Sequence, residues 1–210
     1  MQCTGIVSKN FGDLFTDEEM AQFTLNTVNG AYIYSKSECL KVKTKDIQAY
    51  IICRIKFDNF LLKRAENAGA KVHTGHYLKD LRENLIDNGE KINSSQRYEL
   101  TFDIKGKNTK FEADIVIGAD GPHSMVAKCA GMYGEREFWC GAQAVVKGNF
   151  EKDMVQLHLG EDYPGFFAWF VPEGDNFGRI GVAAKKNSKF LFDKILNKLN
   201  IPKYAITEMQ

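Results

Sequence analysis

The residues with the clearest chemical promise form a short turn, Gly118-Ala119-Asp120-Gly121, closing the apolar run Ala113-Asp114-Ile115-Val116-Ile117. An apolar strand that ends in a small-small-Asp-Gly turn sets a carboxylate at the carboxyl edge of a parallel sheet, where open α/β folds bind ligands. Gly118 and Gly121 let the backbone approach a bound molecule closely, and Asp120 can accept hydrogen bonds from ribose hydroxyls. Arg54 is a second candidate, because a guanidinium offers fixed, permanently charged donors to a pyrophosphate or to ring oxygens. Each has a plainer reading: a strand ending in a turn, and a surface arginine in an ion pair. The aromatic run Phe166-Phe167-Ala168-Trp169-Phe170 is the third feature, with Trp139 on a neighbouring segment. Successive strand residues point to opposite faces, so Phe167 and Trp169 share one face while part of the run packs a core.

The elements that position these groups follow from local pattern. Thr16 is read as the N-cap of a short helix with Glu18 and Glu19 in its first turn. Residues 24–34 are rich in Thr, Val, Ile and Tyr around an Asn29-Gly30 turn, and 39–44 and 49–54 continue as extended runs, which predicts a small antiparallel sheet. Helical spacing of Phe57, Phe60, Leu61, Arg64 and Ala65, with Gly69 as C-cap, predicts a helix over 57–68. Residues 70–73 then read as a short strand, which makes that helix a crossover onto a parallel sheet. A hairpin is expected around Lys105-Gly106-Lys107, then a buried strand at 113–117. Strands are expected at 141–147, 154–159, 165–171 and 179–184, joined by Gly, Pro and Asp turns, before an amphipathic helix at 190–199.

Composition narrows the function classes. The chain has 210 residues, 44% of them hydrophobic, which is enough to bury a real core. Lys plus Arg number 28 against 27 Asp plus Glu, so no field of one sign exists to collect nucleic acid, and no nucleic-acid partner is expected. Cys3, Cys39, Cys53, Cys129 and Cys140 are odd in number and form no C-x-x-C pair. That argues against a disulfide framework and a zinc knuckle, and fits a reducing cytoplasm. His73 and His76 lack a third ligand nearby and read as surface or packing residues, so no metal is expected. Asn93-Ser94-Ser95 matches a glycosylation sequon by chance. No apolar run approaches the roughly 18 residues of a membrane span, and the first ten residues carry no signal-peptide pattern.

Longer stretches carry a resemblance. The 113–124 segment, ending Gly118-Ala119-Asp120-Gly121-Pro122-His123-Ser124, resembles the G-A-D-G-x-x-S element of flavin-dependent enzymes of the p-hydroxybenzoate hydroxylase type. Lys128 stands four residues beyond Ser124, where that family carries an arginine after the serine. Arg54-Ile55-Lys56-Phe57-Asp58 with Leu61 and Ala68-Gly69-Ala70 is similar to the same superfamily's R-x-x-F-D-x-x-L stretch. Gln2-Cys3-Thr4-Gly5-Ile6-Val7-Ser8 resembles the C-G/T-G-x-x-S loop of geranylgeranyl reductases. Residues 164–172, through Trp169 to Pro172 and with Gly181 beyond, resemble their Y-x-W-x-F-P…G-x-G strand pair. Phe167 stands for the tyrosine, Val171 for the phenylalanine and Ala183 for the second glycine.

The resemblance implies FAD as cofactor, with Gly5, Arg54, Asp120 and Gly121 binding it, and an isoprenoid lipid substrate along Phe167, Trp169, Pro172 and Gly181. It implies a catalytic part for Cys3 near the flavin ring, although a lone cysteine is more often a small packing residue. A polyprenyl chain offers only methyls and double bonds, so its pocket must be apolar and aromatic. The expected fold is α/β plus antiparallel β: an incomplete FAD/NAD(P)-binding (Rossmann-like) domain, residues 1–22 and 53–134, interleaved with an antiparallel-sheet substrate domain, 23–52 and 135–210. The G-x-G-x-x-G fingerprint and the late G-D-A strand do not occur, so the expectation is a truncated or split chain completed by a partner carrying the missing FAD-binding segment. The expected activity is flavin-dependent saturation of geranylgeranyl double bonds, in the cytoplasm with peripheral membrane contact, the donor being NAD(P)H or ferredoxin. The alternatives are a flavin monooxygenase fragment and a non-catalytic remnant or subunit that binds no flavin.

Overall fold

The structure, a computed structural model, describes residues 3–85 and 96–209; Gln2 and the Asn93-Ser94-Ser95 triplet lie outside the described residues. The chain opens with β1 (Ile6–Ser8) and a 3-10 turn, then α1 (Asp17–Phe23). Thr16 caps α1 in a full capping box: its Oγ1 accepts from Glu19 N at 3.3 Å, and Glu19 Oε2 accepts from Thr16 N at 3.0 Å. β2 (Thr24–Val28), β3 (Gly30–Tyr34), β4 (Cys39–Lys43) and β5 (Ala49–Ile52) follow, then α2 (Arg54–Asn67). Helix α2 starts three residues before the expected position and is followed by Gly69 at φ 94°.

β6 (His76–Leu85), β7 (Gln96–Ile104) and β8 (Lys107–Ala113) make an antiparallel sheet, joined to a single turn of helix, α3 (Met125–Cys129). The β7–β8 hairpin closes through Lys105 and Gly106, both at positive φ, as a tight two-residue hairpin requires. The last stretch carries β9 (Cys140–Lys147), β10 (Met154–His158), β11 (Ala168–Gly174), β12 (Phe177–Ala184), α4 (Ser188–Lys198) and β13 (Ile206–Met209). Three of these strands and the helix fall close to where the sequence predicts them, while the strand expected at 165–171 forms three residues later, leaving Phe166 and Phe167 just before it.

Two compact units result: residues 1–68 with 138–210, and residues 69–137. In the first, a seven-stranded sheet in the order β13-β9-β12-β11-β10-β3-β4 is antiparallel apart from the β10–β3 pair. α4 covers one face, burying Leu191, Phe192, Ile195 and Leu196 against Ala144, Val146, Phe170, Ile180 and Val182. The other face carries Val155, Val171 and Trp169, which meet Val28, Ile51 and Ala49 of the small β1-β5-β2 sheet. Five phenylalanines, Phe11, Phe15, Phe23, Phe57 and Phe60, bind α1 to α2 through edge-on and tilted contacts near 5–6 Å.

Three expectations are corrected. Asn29-Gly30 is no hairpin turn: β2 pairs with β5, while β3 pairs with β4 and β10 in the other sheet. Gly30 is there for closeness, since a Cβ would stand 2.5 Å from both Met154 Sδ and Val42 O. Residues 70–73 form no strand, and β8 ends at Ala113, so the expected buried strand at 113–117 is not formed. Arg97 ties Glu112 and Asp114, after which the chain leaves the ladder. A strand exists only where a neighbour takes its hydrogen bonds, and none of the described strands lies beside 115–117, leaving Ile115 79% and Ile117 86% exposed. Among the described residues no helix is long and apolar enough to cross a membrane.

Candidate functional site

The loop Cys3-Thr4-Gly5 is held from three sides. Gly5 takes φ 76°, and a Cβ there would lie 2.2 Å from Ile52 O, so the loop backbone lies directly against β5, where Ile52 N donates to Gly5 O at 2.8 Å. Thr4 Oγ1 donates to Gln143 Oε1 on β9 at 2.8 Å. Arg54, the first residue of α2, points Nη1 at Cys3 Sγ (3.4 Å), and Arg179 of β12 donates from Nη1 to Cys3 O at 2.6 Å. Two guanidiniums therefore converge on Cys3. Hydrogen bonding to the Cys3 sulfur first, then to Asp58, raises Arg54 further above its ordinary value, against the opposing effect of burial.

Behind the loop, Arg179 Nη2 meets Glu173 Oε1 at 2.5 Å, with side-chain exposures of 11% and 9%. Arg179 Nε and Glu173 Oε1 have no hydrogen-bond partner among the described residues, so the pair is held as an ion pair. Burial pushes the Glu173 carboxyl above its ordinary value although Arg179 pulls it down, and Glu208 adds to the rise. The β11–β12 register, Trp169↔Gly181 and Val171↔Arg179, places this pair on the same sheet face as the aromatic strand.

On that face the Trp169 indole lies over Gly181, where a Cβ would stand 2.4 Å from the ring. Phe167 meets Trp169 edge-on, centroids 5.9 Å apart, so the two share a face as expected. Phe170 points the opposite way into the α4 core. Pro172 sits at the β11 irregularity, where the missing N–H is tolerated, and its carbonyl accepts from Asn26 Nδ2 at 3.0 Å.

Asp120 and Gly121 belong to the other compact unit. Asp120 accepts from Ser124 Oγ, from Met125 N at 2.6 Å and from Val126 N at 3.2 Å. These bonds, Ser124 first, hold its carboxyl below the ordinary value. Much of its accepting capacity therefore goes into tying its own turn to α3. Gly121 takes φ 78° with open space around it, and a cleft of about 470 Å3 runs past Asp120, Val116, Ile117, Leu78 and Phe102. Lys128 lies over the Tyr133 ring at 4.9 Å. His73 and His76 are 5.2 Å apart, ring to ring.

Taken unit by unit, these groups each fit a part of a dinucleotide cofactor in kind. Arg54, of five N–H donors, spends three on Cys3 and Asp58 and keeps two, on a side chain 35% exposed. Asp120 keeps accepting capacity beyond its three donors, and the Gly121 backbone is open to approach. Residues 5–185 match the family of FAD binding domains.

The chain belongs to that FAD-binding family.

Within the family, this FAD-binding chain is 27% identical over 98% of its length to an uncharacterized protein of Methanocaldococcus jannaschii, covering 49% of it. It is 29% identical over 73% of its length to digeranylgeranylglycerophospholipid reductase 1 of Methanopyrus kandleri, covering 40% of that protein. In structure it is similar to a geranylgeranyl bacteriochlorophyll reductase-like protein of Thermoplasma acidophilum, with a TM-score of 0.77 at 23% identity, over 100% of this chain and 54% of that one. The FAD-binding chain spans about half the length of these relatives. Gln143, Glu173 and Arg179 are the site residues that sequence reasoning missed. The available signal was charge at face-alternating positions in apolar strands: Glu173 after Val171, and Arg179 between Gly178 and Ile180.

Proposed function

We propose that this chain forms the substrate-facing half of a flavin-dependent reductase that saturates isoprenoid double bonds of a lipid. The observation that carries the reading is Trp169, seated on Gly181 beside Phe167, on the sheet face where Gln143 and Arg179 hold the Cys3 loop. An apolar aromatic wall next to a fixed polar loop is what an alkene without polar handles needs for positioning. FAD, when bound, supplies the hydride. Arg54, with two N–H groups to spare, would hold an anionic or ring oxygen, and Gly5 keeps the loop close enough for backbone contact. On the 69–137 unit, taken by itself, Asp120 and Gly121 would take a ribose hydroxyl. Cys3, gripped at its sulfur and carbonyl, would stand at the reacting alkene and direct a proton to it. Phe167 and Trp169 would orient the chain and exclude water.

In this reading, residues 1–22 and 53–134 serve the cofactor and 23–52 with 135–210 the substrate. Polypeptide beyond these 210 residues, of the same protein or of a second chain, supplies the remaining grip on the dinucleotide and a neighbour for the exposed 115–117 segment. A lipid substrate carries with it peripheral contact with a membrane surface, reached from the cytoplasm. The test is the absorbance of the purified protein mixed with FAD, alone and with its complementing polypeptide, followed by reduction with dithionite and addition of a geranylgeranyl lipid. Bound flavin whose reduced form is reoxidised by the lipid, with a mass gain of two hydrogens per double bond, is expected. Colourless protein in both preparations overturns the reading.

A further inference from the structure

Arg179 and Glu173 form an ion pair among apolar neighbours. In the register Arg179 stands between Val171 of β11 and Val145 of β9, and Glu173 follows two residues after Val171. Their side chains are 11% and 9% exposed. Taking two charges out of water at such a place can cost more than their attraction returns, and apolar side chains of similar volume often hold the site as well or better. Stability alone gives no reason for the pair. Its contacts do.

The Arg179 guanidinium reaches two ways. Nη2 meets Glu173 Oε1 at 2.5 Å, and Nη1 donates to Cys3 O at 2.6 Å, 176 positions away in sequence. Glu173, fixed on the neighbouring strand, thereby sets the direction of the fork. Nη1 also lies 3.2 Å from where a Gly5 Cβ would stand, so the planar group packs against the loop backbone while it holds the carbonyl. On the other side of the same residue, Cys3 Sγ accepts from Arg54 Nη1 and from Gly5 N, each at 3.4 Å. Those contacts depend on where the Cys3 backbone stands, and Gly5 at φ 76° gives the loop freedom to turn unless something holds it. Thr4 on Gln143 is a second tether, but it acts one residue further on and leaves the Cys3 carbonyl untouched.

We propose that Glu173 and Arg179 are positioning residues for Cys3: the carboxylate orients the guanidinium, and the guanidinium pins the Cys3 carbonyl so that the sulfur stays at Arg54. The proposal rests on the flavin-dependent reductase reading for what Cys3 does there, and adds the two residues that decide where it stands. Each acts through the next group, and neither is a catalytic residue. A pair kept for placement has a signature of its own: apolar replacement of both partners leaves the fold intact and releases the loop.

Alkylation of the full chain by a bulky maleimide, resolved cysteine by cysteine through peptide masses, reads the loop directly. Cys3 is half-buried, while Cys39, Cys129 and Cys140 are exposed and serve as internal standards. In the Arg179→Met/Glu173→Leu variant Cys3 should react about tenfold faster, as loss of one charge-assisted hydrogen bond opens the loop, and the standards should keep the parent rates. If the double variant does not fold, Glu173→Gln keeps the shape and Arg179 and removes only the charge that aims it; Cys3 alone should again react faster. An unchanged Cys3 rate overturns the proposal. Equal acceleration at all four cysteines assigns the pair to the stability of the fold and overturns it too. Neither result touches the isoprenoid reading, since the assay holds no flavin or lipid. With FAD and the complementing polypeptide present, the double variant should lose about tenfold in kcat at unchanged KM for a geranylgeranyl lipid. A raised KM at unchanged kcat places the pair in substrate binding and overturns its positioning role, whereas a parent protein without turnover sinks the reductase reading and leaves the labelling to decide the clamp.

Discussion

Trp169 can lie flat on its neighbour strand only because residue 181 is glycine: a Cβ at Gly181 would stand 2.4 Å from the indole Cζ2 and 2.6 Å from Cε2. The close approach fixes the height of the aromatic row above the sheet. It also leaves the buried Trp169 Nε1 without a partner among the described residues.

Gly181→Ala therefore has to move the ring. The expected cost is about 1–3 kcal/mol by overpacking, with a shift in Trp169 emission that a Trp139→Phe background isolates. Unchanged emission and unchanged denaturation midpoint would show that the indole is not seated there.

The Arg179–Glu173 pair predicts asymmetry between single and double variants. Arg179→Met leaves a buried carboxylate alone and should cost about 3–5 kcal/mol, whereas Arg179→Met/Glu173→Leu should recover most of that. The single variant should also weaken as pH rises above 4.5, the ordinary value for Glu173. With Arg179 gone, burial and Glu208 push the carboxyl up unopposed, so the folded state holds a proton that the unfolded chain has released. Urea denaturation at several pH values checks both points.

Arg54→Gln removes the charge that faces Cys3 while keeping a polar side chain. A charge-assisted contact to a cofactor is worth about 1.5–3 kcal/mol, so FAD affinity should fall at least about tenfold in a flavin titration, with the melting temperature little changed. Equal affinity would remove Arg54 from the cofactor site.

His158 predicts an acid-side loss of stability. It is 1% exposed and stacked on Tyr34 at 4.6 Å, and burial lowers its pKa from 6.5 to about 4. Between those values the unfolded chain takes up a proton that the folded chain refuses, so stability falls as pH drops through 6.5 toward 4. The full effect is at most about 3 kcal/mol. His158→Phe keeps the stacking and should flatten that part of the pH profile relative to the parent chain. Parallel profiles would show that His158 titrates normally.

Much of the architecture was legible because it is local. The Thr16 capping box, the Lys105-Gly106 turn and the alternating strands with their final helix depend on residues a few positions apart. The contact between Phe167 and Trp169 was expected from a two-residue period, although Phe167 stands just before β11 and meets Trp169 from there. The Asn29-Gly30 misreading was local reasoning too: the dipeptide suits a hairpin, but the strands on either side find better partners in different sheets. The segment 113–117 reads as a buried strand by composition, yet burial depends on a neighbour that no local pattern contains.

By itself the sequence pointed to the family, to Cys3, Arg54, Asp120 and the aromatic row as candidates, and to most of the strands and helices, since these depend on residue type and short spacing. Only the tertiary structure decided which of those groups meet. Cys3 lies 176 positions from Arg179 and Thr4 139 from Gln143, and sheet order and register alone bring them together. The same register puts Gly181 under Trp169 and sets Arg179 where it meets both Glu173 and the Cys3 loop. Contacts of that kind are set by the packing of whole elements, and a residue's own neighbours in sequence carry no record of them.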